Sequence, residues 1–276
     1  MLRKLIRSSA YFGSIAAGVY TITSFPGFHK KDRRRPLLGH HYAHRGLYDP
    51  EARIPENSMA AFARAADAGY GIEMDVHLTA DNRTVVFHDD LLLRMCGVNK
   101  ELNGLTLKEL EDLRLSGTDE RIPGFKEVLD LVDGRVPLII ELKVDHGNYS
   151  LLCPLVWQIL KDYKGVYCIE SFHPGVLLWF RFNHPEVVRG QLSCNFFREK
   201  PHADAALFLM THLMTNFLTA PDFIAYKYKD IDTPAFFLCR RLWKAMTVLW
   251  TIPDQKTLED FRSRADLMIF EGFRPQ

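Results

Sequence analysis

The sequence predicts an α/β protein in which eight parallel strands and their helices close into a TIM-type (β/α)8 barrel. Short apolar or β-branched runs alternate with amphipathic stretches along most of the chain, the pattern of a parallel sheet with helical crossovers. Eight runs after Pro36 fit strands. The length of 276 residues leaves room for a barrel of about 250 residues behind a short N-terminal extension.

The overall composition does not indicate a function, so we expect the function to depend on a local site. The chain has 35 Lys+Arg, 34 Asp+Glu and 47% hydrophobic residues, which is typical of a globular protein and excludes a disordered chain or a multi-span membrane protein. A net charge of +1 provides no general positive field, so we expect no nucleic-acid partner. The cysteines are irregularly spaced without a Cys-x-x-Cys pair, which argues against a disulfide framework and a zinc site.

The N-terminal segment, residues 1–36, is predicted to be separate from the barrel of residues 37–276. No formal charge occurs from Ser8 to Phe28, close to the roughly 20 residues that a membrane span requires. We expect membrane association, single-pass or peripheral; a helix packed on its own domain and a cleaved signal peptide are alternatives. Basic residues from Lys30 to Arg35 favour a cytoplasmic barrel, because Lys and Arg collect on that side.

The candidate elements follow in order. Ser58–Ala68 is expected to be a helix capped by Ser58, and Pro123–Val132 a second amphipathic helix. The eight predicted strands are Tyr42–His44, Ile72–His77, Leu138–Leu142, Val166–Glu170, Val187–Leu192, Phe223–Tyr226, Thr247–Trp250 and Leu267–Phe270.

Two stretches depart from the alternation. Thr84–His88 follows Ile72–His77 too closely for a parallel crossover, which predicts a hairpin; a two-residue turn at Asp81-Asn82 would place Asp75 directly opposite His88. Residues 91–122 are expected to form a small insertion with a helix at Leu107–Leu113. The uncharged stretch 205–221 is interpreted as a helix on the barrel wall, or alternatively as a lid or lipid-contacting helix.

Three acids stand where charge is costly. Glu73 and Asp75 alternate on a strand that is otherwise apolar, and Glu141 lies within Pro137–Leu142. Alternate strand residues share a face, and paired buried carboxylates repel each other unless a cation lies between them. Carboxylates without Cys or paired His indicate Mg²⁺ or Ca²⁺.

Basic groups complete the candidate chemistry. His44 and His88 end two strands, and imidazoles exchange protons near neutral pH. Arg45 offers a planar fork for an oxyanion. Lys143 either pairs with Glu141 or reaches a phosphate. With a cation, these groups fit phosphodiester cleavage.

Seven short motifs follow one another along the chain. In order, they are His-Arg-Gly, Pro-Glu-Asn-Ser, Glu-x-Asp-Val-x-x-Thr, Val-Val-Phe-His-Asp, Glu-Leu-Lys, Ser171-Phe172 and Trp250-Thr251. In this the chain resembles the glycerophosphodiester phosphodiesterase family, from about Tyr42 to Pro275. The resemblance implies a TIM-type barrel with an insertion after the second histidine. It also implies a divalent cation held by Glu73, Asp75 and Glu141.

By the same resemblance, His44 and His88 are the acid/base pair, and the substrate contacts are Arg45, Asn57, Lys143, Phe172 and Trp250. The alternative for the aromatic residues Phe172 and Trp250 is a place in the barrel core. The implied reaction hydrolyses glycerophosphodiesters through a cyclic phosphate. A phospholipase D-like lyase acting on lysophospholipids and a silent lipid-headgroup binding protein are the alternatives. One departure is Glu271 in Ile269-Phe270-Glu271, where the family more commonly has Thr-Asp.

Overall fold

The computed structural model describes residues 2–27, 31–199 and 204–276, with the backbone alone for residues 2–12 and 31. The strands are β1 His41–Ala43, β2 Gly71–Leu78, β3 Thr84–Val86, β4 Leu138–Leu142, β5 Tyr167–Ser171, β6 Arg189–Ser193, β7 Phe223–Lys227, β8 Met246–Ile252 and β9 Leu267–Phe270. All of these except β3 pair in parallel in the order β1-β9-β8-β7-β6-β5-β4-β2, and pairing of β1 with β2 closes the ring. The predicted eight-stranded barrel is confirmed.

Helices occupy the connections between strands. Their bounds are α1 Leu2–Thr23, α2 Lys31–Arg34, α3 Met59–Asp67, α4 Leu93–Cys96, α5 Leu107–Leu110, α6 Phe125–Val132, α7 Tyr149–Leu160, α8 Pro174–Asn183, α9 Phe196–Glu199, α10 Ala205–Thr211, α11 Asn216–Thr219, α12 Pro234–Phe237 and α13 Gln255–Phe261. The Ser58 hydroxyl accepts from the Ala61 amide, so Ser58 caps α3 as predicted.

Strand alternation divides the barrel interior into an apolar layer and an acidic layer. Ile139 and Cys168 point inward with the apolar core of the barrel. Glu141 and Glu170 lie two residues further along the same strands, and therefore on the same face. Parallel pairing aligns Asp75 with Glu141 and Glu141 with Glu170. The acids thus gather at the carboxyl ends of β2, β4 and β5.

The apolar layer depends on a close approach between two neighbouring strands. Gly190 in β6 pairs with Phe223 in β7. A Cβ atom at position 190 would lie 2.0 Å from the Phe223 ring. Gly190 therefore leaves the space that the buried ring fills.

The hairpin forms, but its predicted register is wrong by one residue. Val76 pairs with Val86 and His77 with Val85, and the Phe87 amide donates to the Asp75 carbonyl. The loop has an extra residue because Asn82 adopts a φ of 59°, a geometry that closes a three-residue hairpin loop. Asp75 is therefore opposite Phe87 rather than His88.

The insertion after β3 has its own small core. Leu92, Met95, Leu102, Leu110 and Leu115 pack together with Val85 and Phe87 of the hairpin. The predicted helix at Leu107–Leu113 is shorter, ending at Leu110. The 205–221 stretch forms two short helices, α10 and α11, instead of one.

The N-terminal segment folds into α1, which ends before Pro26-Gly27. Within the described residues, none of the helices combines the length and apolar character that a bilayer crossing requires. Lys30 of the predicted basic linker lies outside the described residues.

Candidate active site

The loop after β1 presents His44 and Arg45 at the carboxyl rim of the barrel. Gly46 has a φ of 81°, and a Cβ there would lie 2.9 Å from the Ala61 backbone carbon. Only glycine combines this conformation with this approach without strain. The turn directs the Arg45 amide to Glu73 Oε2, at 3.1 Å.

The three predicted cation ligands converge. Carboxylate oxygens of Glu73, Asp75 and Glu141 all lie within 4.8 Å of one another. All three residues are buried, with exposures of 2%, 1% and 7%. Residues from two strands therefore form one acidic cluster, which we call the acid cluster.

Two basic side chains face the acid cluster. Lys143 Nζ lies 3.1 Å from Asp75 Oδ1 and 3.0 Å from Glu141 Oε2. Arg45 Nε is 3.5 Å from Asp75 Oδ2. Lys143 thus makes the predicted pairing with Glu141, and it also lines the cavity described below.

The surroundings shift the pKa values of the three acids in opposite directions. Burial raises the pKa of Glu141 to about 7 although Lys143 opposes it. Burial, and then repulsion from Asp75, raises the pKa of Glu73 well above its usual range. Burial would also raise the pKa of Asp75, but Lys143, His88 and Arg45 outweigh it and hold that pKa well below its ordinary value.

The residues present fit a hard divalent cation. Glu170, adjacent to Glu141 in the sheet, is also buried, and its Oε2 lacks a hydrogen-bond partner among the described residues. Burial and repulsion from Glu141 raise its pKa well above normal. Four carboxyl groups thus face two basic side chains, an excess of two negative charges when all ionise, and oxygen ligands of this kind suit Mg²⁺ or Ca²⁺.

Each predicted catalytic histidine is held by a carboxylate. His44 Nδ1 lies 2.7 Å from Glu271 Oε2, and its Nε2 lies 3.9 Å from Glu73 Oε2. His88 Nδ1 lies 2.6 Å from Asp89 Oδ1. A carboxylate at Nδ1 fixes the ring and leaves Nε2 for substrate. Burial lowers the pKa of His88 to about 4, with Lys143 and Arg45 adding to the effect against Asp75.

A further ion-pair network links the barrel to the insertion. Arg94 of α4 donates to both carboxylate oxygens of Glu56 and of Asp89. Glu56 also accepts from Arg45 Nη1 at 2.6 Å. The insertion therefore helps to hold Arg45 and the partner of His88.

Asn57 takes a different position from that expected of a substrate contact. It is 1% exposed, and its Nδ2 donates to Asp75 Oδ2 at 2.9 Å. Asn57 orients a carboxylate of the acid cluster. Among the described residues, it is not one of those that line the cavity.

A cavity of about 390 Å³ opens above the acid cluster. Phe172 and Trp250 form part of its wall, with ring centroids 5.8 Å apart in an edge-to-face arrangement. The other predicted residues that line it are His44, Arg45, Glu73, His88, Glu141 and Lys143. The cavity thus joins charged groups at its base to an aromatic wall.

Five residues that take part in the site were not predicted as site residues from the sequence: Glu56, Asp89, Arg94, Glu170 and Glu271. Glu170 shared the signal that identified Glu141, an acid near the end of an apolar strand. Glu271 was noted only as a departure from the family pattern. Arg94 carried no signal, because its partner Glu56 lies 38 residues away in the sequence.

Fold and site together define a (β/α)8-barrel protein with an acidic, histidine-flanked pocket at the carboxyl ends of its strands. The chain belongs to the glycerophosphoryl diester phosphodiesterase family, whose sequence profile matches residues 44–224.

Individual relatives agree with this assignment. The chain is 33% identical over 165 residues to lysophospholipase D GDPD1 of Rattus norvegicus, covering 53% of this chain and 50% of that protein. It is 33% identical over 159 residues to a glycerophosphodiester phosphodiesterase of Bacillus altitudinis, covering 53% and 63%. The chain therefore spans about half the length of the first of these relatives and under two thirds of the second.

Solved structures share the fold. A glycerophosphodiester phosphodiesterase from Parabacteroides distasonis aligns with a TM-score of 0.66 at 25% identity, over 84% of this chain and 92% of that chain. An Oleispira antarctica phosphodiesterase, solved in complex with the product sn-glycerol-3-phosphate, aligns with a TM-score of 0.69 at 22% identity, over 84% and 93%.

Proposed function

We propose that this protein hydrolyses glycerophosphodiesters to glycerol phosphate and an alcohol with the help of a divalent cation. The observation that carries the proposal is the convergence of the acid cluster, two carboxylate-held histidines and two basic side chains around one cavity. Family membership of residues 44–224 supports the same reaction class.

Glu73, Asp75 and Glu141 would hold the cation, which when bound supplies Lewis-acid stabilisation of charge on the phosphate oxygens. Arg45 and Lys143 stand beside this position and add positive charge. These groups are already in place before substrate enters, so little reorganisation is needed as charge develops on phosphorus oxygens.

The histidines would move the protons in two steps. In the first, one imidazole takes the proton of the glycerol hydroxyl next to the phosphate; that oxygen attacks phosphorus, and the other imidazole protonates the departing alcohol. In the second, water attacks phosphorus of the cyclic phosphate and gives a proton to the imidazole that protonated the alcohol, while the other imidazole protonates the glycerol oxygen as its bond to phosphorus breaks. The lowered pKa of His88 keeps its imidazole neutral at pH 7, which is the form that can accept a proton.

The primary test replaces each histidine. His44→Ala and His88→Ala should each reduce kcat on glycerophosphocholine by about 10²–10⁴-fold, the usual contribution of an acid/base group. The matched control is His184→Asn, because His184 also contacts a carboxylate, Glu186, but lies away from the cavity. Circular dichroism checks folding. Wild-type protein without turnover would contradict the proposal and leave a headgroup-binding protein.

A second test removes the cation. Chelation should abolish turnover, and Mg²⁺ or Ca²⁺ should restore it. Glu73→Gln should raise the cation concentration needed for half-maximal activity, whereas Glu127→Gln, on the exposed surface, should not. Activity that persists in a chelator would refute the assigned role of the acid cluster.

Lysophospholipids are a second candidate substrate. The 33% identity to a lysophospholipase D favours them, and the aromatic wall of the cavity provides an apolar surface beside the charged base. Phosphorus NMR of the products distinguishes the outcomes: a monoester indicates hydrolysis, and a persistent cyclic phosphate indicates a lyase that stops after the first step.

A further inference from the structure

The N-terminal helix α1 lies along the barrel wall, and its N-terminal part extends toward the carboxyl rim of the barrel, where the cavity opens. Near its end, Phe25 packs on Trp243, with ring centroids 4.8 Å apart, just before β8 begins. Five residues earlier, Tyr20 OH lies 2.8 Å from His212 Nδ1, between α10 and α11. The neighbouring Met210 carbonyl accepts from Ser193 at the carboxyl end of β6. Toward its N-terminus, α1 therefore points to the catalytic rim.

On the N-terminal side of Tyr20 the helix becomes exposed. Every residue from Gly13 to Val19 is exposed, and the helical backbone continues back to Leu2. At a rise of about 1.5 Å per residue, the turns before Tyr20 extend more than about 20 Å. The exposed part of α1 therefore extends past the rim.

Helix α1 and the helices beside it expose several apolar side chains at this end of the barrel, which we call the rim patch. Its members are Ile15, Val19, Phe208, Leu209 and Phe237, exposed by 49%, 50%, 43%, 40% and 60%. The Phe208 ring packs against the ring of His212 in a tilted arrangement, with centroids 4.4 Å apart, and His212 contacts the Tyr20 hydroxyl. Phe237 shares a groove with Ala17 and Tyr20. Apolar side chains gathered in this way mark an interaction surface, unlike single exposed ones.

The rim patch is connected to the cavity by aromatic contacts. Phe208 contacts Phe197 with ring centroids 6.3 Å apart. The next residue, Phe196, contacts Phe172 at 6.0 Å, and Phe172 lines the cavity. A surface seated on the rim patch would therefore lie beside the cavity mouth.

The charge of the segment indicates what kind of surface it meets. Arg3, Lys4 and Arg7 precede the apolar part of α1, and no acidic residue occurs before Asp32. Basic residues flanking an apolar helix attract anionic lipid headgroups. A second copy of the chain would instead bring two basic N-termini together, which repel each other.

We propose that the rim patch and α1 dock on an anionic phospholipid bilayer and hold the cavity mouth against the lipid headgroups. The apolar residues enter the headgroup boundary, and the basic residues contact the phosphates. The docking gives access to phosphodiesters that reside in a membrane, and in this respect it deepens the proposed function on which it rests. The contacts of Tyr20 and Phe25 fix the orientation of the barrel relative to the lipid.

The test is co-sedimentation of the full chain with vesicles of phosphatidylcholine, alone or mixed with phosphatidylglycerol. Binding is expected on the mixed vesicles and should weaken with salt. Val19→Glu and Phe237→Ser should each weaken it by about tenfold or more, because each removes an apolar group from the lipid contact. Phe182→Ser is the matched control: Phe182 is 75% exposed near the end of α8, which leads to the amino-end side of the barrel, and its loss should leave binding unchanged.

Three results would overturn the docking proposal: no binding to the mixed vesicles, equal binding by all variants, or a dimer in sedimentation equilibrium that Val19→Glu disrupts. Turnover of water-soluble glycerophosphocholine by the same variants is measured in parallel and should stay unchanged. A chain that turns over this substrate but ignores vesicles refutes the docking alone. A chain that binds vesicles without turnover refutes the proposed function alone.

Discussion

Protons and the divalent cation should compete for the acid cluster. Burial raises the pKa of Glu141 to about 7, and burial with repulsion from Asp75 raises the pKa of Glu73 well above its ordinary range. About half of the Glu141 carboxyl groups are therefore protonated near pH 7 before a cation binds, and the raised pKa of Glu73 favours its protonated form. A cation needs the carboxylate forms, so its binding should release protons, and its affinity should rise with pH.

The size of the effect follows from the pKa values. At pH 6, a carboxyl group with a pKa of about 7 is about nine-tenths protonated, and at pH 8 it is about nine-tenths ionised. Glu141 alone should tighten cation binding about tenfold between these two pH values. The raised pKa of Glu73 changes cation binding in the same direction.

Isothermal titration calorimetry with Ca²⁺ and Mg²⁺ at both pH values measures the change. Repeating it in buffers of different ionisation enthalpy counts the protons released. Glu141→Gln should release fewer protons, whereas Glu127→Gln, on the exposed surface, should behave like the wild type. The reasoning fails if Kd is the same at both pH values and no proton is released.

Three further outcomes are expected. Gly190→Ala should destabilise the fold by about 1–3 kcal/mol or more in urea titrations, because the new methyl group meets the Phe223 ring; Gly104→Ala, with no atom within 4 Å, is the control, and equal losses would argue against the packing explanation. Ser58→Ala should cost about 1 kcal/mol of unfolding free energy through the lost cap, and an unchanged midpoint would refute this. Glu271→Ala should lower kcat by about 10–100-fold with little change in KM, because the lost hydrogen bond frees the His44 ring; Glu271→Asp should recover part of it, and a change confined to KM would place Glu271 in substrate binding instead.

The barrel was predictable because its signals are local and repeated. The predicted strand Leu138–Leu142 and the predicted strand Leu267–Phe270 match the observed bounds. The other barrel strands differ by a few residues at their ends, where propensity is weakest. The order of strands then follows from alternation with helices, since parallel neighbours need a crossover.

The hairpin shows where local reasoning failed. The residue types in the loop are compatible with two geometries. One is the predicted two-residue turn at Asp81-Asn82, and the other is the observed loop, in which Asn82 has a φ of 59°. The extra loop residue shifts the register by one, so that Asp75 lies opposite Phe87 instead of His88. His88 nevertheless reaches the cavity, because the chain beyond β3 leaves the ladder and turns over the rim.

The amino-acid sequence by itself determined the strand and helix pattern, the buried carboxylates at positions 73, 75 and 141, and the histidines that end two segments, since each depends on nearest neighbours along the chain. Only the tertiary structure decided which charges meet. Glu271 reaches His44, and Arg94 joins Glu56 to Asp89, because closure of the ring brings the first and last strands together and folds the insertion over the rim. Contacts of this kind depend on side-chain directions across distant segments, which local patterns do not encode.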